Sequence, residues 1–461
     1  MFQFYNTLTR QKEEFKSLHA GHARIYTCGP TVYWFAHIGN WRSYIFSDVL
    51  RRALEQNGFN VTQVINITDV GHLVGDGDEG EDKMIVAMQR EGKSAYDIAR
   101  FYEAAFMADR EKLNILSATV YPRATEHIAE QIELVKKLEE NGFTYKTTDG
   151  IYFDTSKLPE YGRLSGQKAE EKQGGARVEL GKKKNATDFA LWKFSPADSK
   201  REMEWESPWG VGFPGWHLEC SAMSKKYLGV PFDIHTGGED HVPVHHENEI
   251  AQTMGADGVL EANVWMHNAF LMFDGGKMSK SLGNIYTLVQ LEEKEIEPLA
   301  FRLFCLGAQY RAKLNFTFEA AQAAQNALNK LRETVRDWDE PTSDICEEYR
   351  KRFSEAIEDD LNTPQALAVM WEMIGDSSCC STAVKAATLL EFDKIFGLDL
   401  GKYIGKKVET PDAVLVLLKQ REVARENKDW GEADRLRDEI ATLGFVVEDS
   451  PQGQKIKSVL K

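Results

Sequence analysis

The chain has 461 residues, 42% hydrophobic and 28% charged, a composition typical of a soluble globular protein of roughly two to four domains. Its net charge of -16 argues against nonspecific nucleic-acid binding by bulk charge, while a local basic face stays open. No run of about eighteen apolar residues occurs and the first fifteen or so residues are too polar for a signal peptide, so a cytoplasmic chain is expected.

In chain order, Ala23 to Thr27 reads as a strand that ends at the breaker Cys28-Gly29-Pro30. A helix is predicted from about Asn40 to Gln56. Ile45, Val49 and Ala53 share one spacing, Phe46, Leu50 and Leu54 the same one, and Gly58 supplies the stop. Val61 to Thr68 is rich in β-branched residues and reads as the next strand. Strand, loop, helix, strand opens a doubly wound α/β domain, whose ligands sit at the carboxyl ends of the strands. That places Cys28, His37 and Thr68 near one crevice. The acidic loop Gly75 to Asp82 lacks the glycine position and the closing glutamate of a calcium loop. It reads as a flexible loop. From Asp109 to Glu206 the pattern is mixed, with an amphipathic helix around Glu126 to Asn141 and a solvated lysine run, Lys182 to Lys184. Strand character resumes at Phe232 to His235 and at Trp265 to Phe273. After about Glu319 the pattern is almost wholly helical, with a break at Gly401 to Pro411. Two helices and a short strand, Gly444 to Glu448, close the chain.

Three segments could carry chemistry. In the first, His245 and Glu249 are four apart and share a helix face, a donor pair suited to zinc or another transition metal. Thiolates from Cys28 and Cys220 would complete four ligands. His241 is a rival ligand, and a surface His/Glu pair is the bland alternative. Among the other cysteines, Cys305 sits in an apolar run and reads as a small buried hydrophobe, while Cys346, Cys379 and Cys380 lie in segments without recognisable chemistry. The second segment runs from Gly275 to Asn284 and offers Lys277 and Lys280 to phosphates, or is simply a mobile basic loop. It lacks the order of a Walker loop. The third is His37-Ile38-Gly39-Asn40, where a helix N-terminus and two donor side chains could meet a phosphate, or where Asn40 merely caps the helix.

Together these segments resemble the class I aminoacyl-tRNA synthetases. His37-Ile38-Gly39-Asn40 resembles the first signature of that class, and Lys277-Met278-Ser279-Lys280-Ser281 matches the second. Tyr26-Thr27-Cys28-Gly29-Pro30, Asn66-Ile67-Thr68-Asp69, Pro214-Gly215-Trp216-His217-Leu218-Glu219-Cys220 and Asp359-Asp360-Leu361-Asn362-Thr363-Pro364 narrow the likeness to the cysteinyl-tRNA synthetases, over essentially the whole chain. The resemblance implies a Rossmann-type parallel-sheet catalytic domain over residues 1–315, with an inserted subdomain at about 110–206 and a signature-loop region at about 275–315. A helical bundle over 316–402 and a small α/β anticodon-binding domain over 403–461 would follow.

It also implies an ATP-dependent ligation of L-cysteine to tRNA-Cys through cysteinyl-adenylate, with Mg²⁺ accompanying ATP, by a monomer with no membrane partner. Zinc would be held by Cys28, Cys220, His245 and Glu249, with His241 outside the set. Gly29, Thr68, Trp216 and His235 would bind cysteine. His37, Gly39, Asn40, Gly238, Asp240, Lys277 and Lys280 would bind ATP, with His37, Asn40 and the two lysines catalytic. Arg425, Trp430, Asp434 and Asp449 would meet the anticodon. One departure stands out: the first signature usually ends in histidine, and here it ends in Asn40, which can donate a hydrogen bond but carries no charge. Zinc would separate cysteine from serine at the binding step, so no editing domain is expected. Three rival functions fit less well. A ligase joining cysteine to an amino-sugar would lack the helical C-terminal third, a noncatalytic RNA-binding derivative would have lost both signatures, and a zinc hydrolase would show H-E-x-x-H.

Overall fold

The computed structural model describes residues 1–71, 83–166, 183–195, 201–277, 285–406, 410–450 and 453–458. Four parallel strands form the central sheet: β1 (His22–Thr27), β2 (Asn60–Ile65), β3 (Phe232–Gly238) and β4 (Ala262–Asn268). Their spatial order is β4-β3-β1-β2. From β1 the chain crosses through α1 (Ile38–Gln56) to β2 on one side, and it later returns to β3 on the other. The order therefore reverses between β1 and β3, and a crevice opens at their carboxyl ends.

The predicted spacing on α1 is the buried face. Ile45, Val49, Leu50, Ala53 and Leu54 pack into the main core. The helix begins two residues earlier than predicted because His37 caps it. The second strand ends at Ile65, three residues short, and Ile67 and Thr68 keep only isolated bridges, to Arg123 and Thr31. Gly29 is the reason the two loops lie so close: a Cβ there would stand 1.5 Å from the Asn66 carbonyl oxygen.

Between β2 and β3 lies an antiparallel sheet of Thr144–Lys146, Gly150–Phe153, Phe189–Phe194 and Gly212–Pro214. The helix Ile128–Glu140 lies beside it, and Leu134, Leu138, Phe153 and Trp192 share one core. Its last strand leads directly into α2 (Trp216–Leu228), which packs on α3 (His245–Asp257).

The helical part comprises α4 (Phe318–Arg336), α5 (Glu347–Glu358), α6 (Thr363–Gly375) and α7 (Thr382–Phe396). Its core residues Leu328, Phe353, Leu389 and Phe392 belong to the same cluster as Ile45 and Leu50 of α1, so apolar packing continues from the sheet into the helices. Cys305 is buried in that cluster, as its apolar surroundings predicted. At the C-terminal end α8 (Asp412–Glu426) and α9 (Trp430–Thr442) pack with a hairpin, β5 (Phe445–Ser450) and β6 (Gly453–Ser458). The second hairpin strand was not predicted, because Ile456 is the only apolar residue in Gly453 to Ser458. No helix among the described residues is long and apolar enough to cross a membrane.

Candidate active site

The crevice holds a cavity of about 350 Å³ whose walls include Cys28, Gly29, His37, Asn40, Trp216 and Asp240. Cys28 stands just past the end of β1, Cys220 on α2, and His245 and Glu249 on α3. Three segments distant in sequence thus meet beside the cavity. Cys28 Sγ lies 4.0 Å from Cys220 Sγ and 3.8 Å from Glu249 Oε1. Cys220 Sγ lies 3.5 Å from His245 Nε2, which is 3.2 Å from Glu249 Oε1. A tetrahedral zinc ion with ordinary bond lengths has edges of about 3.8 Å between sulfurs, about 3.6 Å from sulfur to nitrogen and about 3.4 Å from nitrogen to oxygen. Four of the six edges among these donor atoms fit that figure to within about 0.2 Å, and the remaining two are within 4.8 Å.

A second grouping is also compact. Cys28, His235, His246 and Glu249 likewise bring their donor atoms within 4.8 Å of one another, with His246 Nε2 3.2 Å from Cys28 Sγ. The two groupings share Cys28 and Glu249, and His241 belongs to neither. His246 is therefore a rival that spacing did not single out. It begins α3 beside His245, and both rings are buried.

The surroundings are dry. Burial pushes the Glu249 carboxyl and the Cys28 thiol well up, the latter with help from Cys220 and Glu249. The contact with Cys28 pulls the Cys220 thiol down, yet burial and Glu249 carry it up to about 11. Three acidic groups crowded in low dielectric favour their anionic forms only when a cation joins them. Further side chains fix the donors. His245 Nδ1 is 2.8 Å from His217 Nδ1, which turns Nε2 toward the cluster. His235 Nε2 is 2.9 Å from Glu249 Oε2. Such partners orient metal ligands.

His235 was expected to face the cysteine. It is fully buried, 2.9 Å from Glu249 Oε2 through its Nε2 and stacked on Trp265 at 4.5 Å. Thr68 is also buried. It donates to Glu219 Oε2 at 2.9 Å and accepts from Asn66 Nδ2 at 3.1 Å, while Asn66 Oδ1 accepts from the Gly29 N–H at 2.7 Å. Trp216 does reach the cavity wall and lies 4.4 Å from the His245 ring. Gly238 and Asp240 are on the wall as well.

At the other end of the cavity His37 caps α1. Its Nδ1 accepts from the Asn40 N–H at 3.3 Å, and its own N–H donates to Asn40 Oδ1 at 3.1 Å. Gly39 lies in the first turn between them. Lys277 has its backbone on the short strand Gly276–Lys277, paired with Met272. Lys280 and the rest of its loop, 278–284, lie outside the described residues, as do the acidic residues 75–82 and Lys182. Far along the chain, Trp430 opens α9 with 59% of its surface exposed. Arg425 on α8 pairs with Asp449 of the hairpin, and Asp434 with Arg437 at 3.3 Å.

Comparison with known proteins identifies the family of the chain. The family described as "tRNA synthetases class I (C) catalytic domain" matches residues 14–326, a "DALR domain" matches 352–400, and a "Cysteinyl-tRNA ligase anticodon binding domain" matches 407–456. A cysteine–tRNA ligase 1 of Burkholderia lata is 51% identical over 98% of this chain and 96% of its own. A cysteine–tRNA ligase of Treponema denticola is 41% identical over 97% of each chain. Among solved structures, Mycobacterium tuberculosis methionyl-tRNA synthetase in complex with methionyl-adenylate superposes with a TM-score of 0.55 at 16% identity, over 82% of this chain and 89% of that one. That likeness speaks to the fold alone. The parallel sheet, the crevice and the matches over the full length lead to one conclusion: the chain belongs to the cysteinyl-tRNA synthetase family, the cysteine–tRNA ligases of class I.

Proposed function

We propose that this ligase selects cysteine through zinc held by Cys28, Cys220, His245 and Glu249. The observation that carries the reading is that four of the six edges among those donor atoms match a zinc tetrahedron and the other two lie within 4.8 Å. When bound, zinc supplies a soft cationic centre that prefers a thiolate to an alcohol and so separates cysteine from serine. His217 and His235 hold the ligand side chains in place, and Trp216 closes the pocket beside them. Gly29 keeps the backbone close enough for Asn66 to fix its N–H.

ATP lies along the same cavity, with its phosphates toward His37, Gly39 and Asn40 at the positive end of α1. Gly238 and Asp240 take the nucleoside, and Lys277 and Lys280 the phosphates, with Mg²⁺ sharing their charge. The cysteine carboxylate attacks the α-phosphorus, pyrophosphate leaves, and the terminal adenosine of tRNA-Cys then takes the cysteinyl group. No protein nucleophile is needed, since positioning and electrostatics suffice. Arg425, Trp430, Asp434 and Asp449 form the surface that reads the anticodon.

The test is cysteine-dependent ATP–pyrophosphate exchange by Cys220→Ser and His245→Ala proteins, with zinc counted by elemental analysis. Zinc content should fall, and the KM for cysteine should rise by about tenfold or more with little change for ATP. Rejection of serine should weaken in parallel. If His246→Ala removes the zinc while His245→Ala retains it, the ion sits in the second grouping instead. Unchanged zinc, cysteine affinity and serine rejection in every variant would falsify the reading.

A further inference from the structure

Three cysteines that show no chemistry in the sequence meet in the helical part of the fold. Cys346 caps α5, and Cys379 and Cys380 lie in the loop between α6 and α7. Their sulfurs all lie within 4.8 Å of one another, with Cys379 Sγ and Cys380 Sγ 3.2 Å apart, and none is in a disulfide.

The frame around them is set by hydrogen bonds. The Cys346 N–H donates to Thr388 Oγ1 of α7 at 2.8 Å. Lys385 Nζ, on a nearly buried side chain, donates to the carbonyl oxygens of Ile374 and Asp376 and so fastens the loop to α7. Asp376 Oδ1 accepts from the Ser378 N–H at 2.8 Å and from Ser378 Oγ at 2.7 Å, and Tyr349 of α5 donates to Asp376 Oδ2 at 3.0 Å. The backbone on both sides of the cluster is thus held in place without a ligand, and binding need only part Cys379 Sγ and Cys380 Sγ from 3.2 Å to the roughly 3.8 Å of a metal-bound sulfur pair.

We propose that Cys346, Cys379 and Cys380 form a second thiolate site, separate from the Cys28–Cys220 cluster, which takes one thiophilic d¹⁰ cation, Zn²⁺ or Cu⁺. Three soft sulfur donors and no carboxylate among them select that class over hard cations. Cys346 sits at the N-terminus of α5, yet burial raises its thiol above the ordinary value and pushes that of Cys380 up to about 12, so the thiolates form as the cation binds. All three residues are only half-buried, so a water or an external thiol completes the coordination of zinc, whereas Cu⁺ is satisfied by the three sulfurs. Binding clips the α6–α7 loop to the start of α5.

The test uses the full-length protein. It is reduced, loaded with excess Zn²⁺ or, in a separate anaerobic arm, with Cu⁺, then desalted, and its metal is counted. The Cys346→Ser/Cys379→Ser/Cys380→Ser variant should bind about one equivalent less than the unaltered protein in at least one arm, whatever the Cys28–Cys220 cluster holds. The arm that shows the difference identifies the ion. Cysteine-dependent ATP–pyrophosphate exchange by that variant should stay within about twofold, which shows an intact fold. Cys380→Ser alone should weaken the second equivalent by about tenfold or more in chelator competition. Equal metal counts in both arms for the unaltered protein and the triple variant overturn the proposal. So does unchanged affinity in Cys380→Ser.

Discussion

Asn40 answers the first helix turn's need for hydrogen-bond partners. The initial N–H groups of a helix have no partner of their own, and the reciprocal bonds between His37 and Asn40 satisfy two such donors. Asparagine can occupy this position because the cap needs only an oxygen that accepts a hydrogen bond, not a positive charge. Asn40→Ala should cost about 1 kcal/mol, read as a lower urea midpoint with an unchanged slope. Asn40→Asp keeps the acceptor and most of the stability but puts an anion where the proposed phosphates lie. The KM for ATP should therefore rise while that for cysteine holds.

Glu261 is a fully buried carboxyl. Burial, helped by Glu249, pushes its carboxyl up to about 8, and its Oε1 accepts from Ser224 Oγ at 2.6 Å. A folded pKa above the ordinary 4.5 means that the unfolded chain loses this proton first as pH rises. Glu261 therefore lowers stability progressively from about pH 4.5 to about pH 8 and adds no further loss beyond. Glu261→Gln should flatten that slope, and urea midpoints at about pH 5.5 and pH 7.5 measure it. Nothing in the spacing around Glu261 announces burial, so the sequence is silent about it. The residue types of the candidate metal cluster are readable one by one, but their meeting depends on three segments that only the β1–β3 crossover brings together.

Elements show a different division. The α1 face was legible because its apolar residues follow the helical period and pack on a sheet. What pins α1 to the helical part was not, since it is polar. Arg302, fully buried, lies 2.5 Å from Asp48 Oδ2 of α1 and donates to the carbonyl oxygens of Phe396 and Leu113. Burial alone would raise the Asp48 carboxyl, but Arg302 and Arg52 outweigh it and hold it below its ordinary value. Removing Arg302 leaves a buried Asp48 with Arg52 as its one remaining cationic partner among the described residues. Arg302→Met should therefore destabilise the protein by about 3–5 kcal/mol, measured by chemical denaturation. Asp48→Asn/Arg302→Met should lose less than the sum of the single changes. A loss for Arg302→Met within that of ordinary surface substitutions would show that the pair carries little of the link. Element ends were the least legible. β2 stops early because its chain peels toward Arg123 and Thr31, a tertiary pull that propensity does not register.

Over the whole molecule, the net charge of -16 sits uneasily with a polyanionic partner. The C-terminal unit offers a local answer. Trp430 is 59% exposed, large and aromatic, at the start of α9, and an unpaired base can stack on such a face whatever the distant charge. Elsewhere in the unit the charges are already ordered. Arg421, and with it Arg425, holds the Asp449 carboxyl down to about 2, so it stays ionised and fixed on the hairpin at neutral pH. The unit thus presents an exposed aromatic face and a set of paired charges, and it lies toward the other end of the sequence from the residues that line the cavity. Trp430→Ala should remove about 1–3 kcal/mol of stacking, which lowers kcat/KM for tRNA-Cys in aminoacylation by roughly 5- to 150-fold. Cysteine-dependent ATP–pyrophosphate exchange, which involves only the cavity, should be unchanged in the same preparation. A loss shared equally by both assays would mean that Trp430 supports the fold, and no loss in either would mean that the anticodon is read elsewhere.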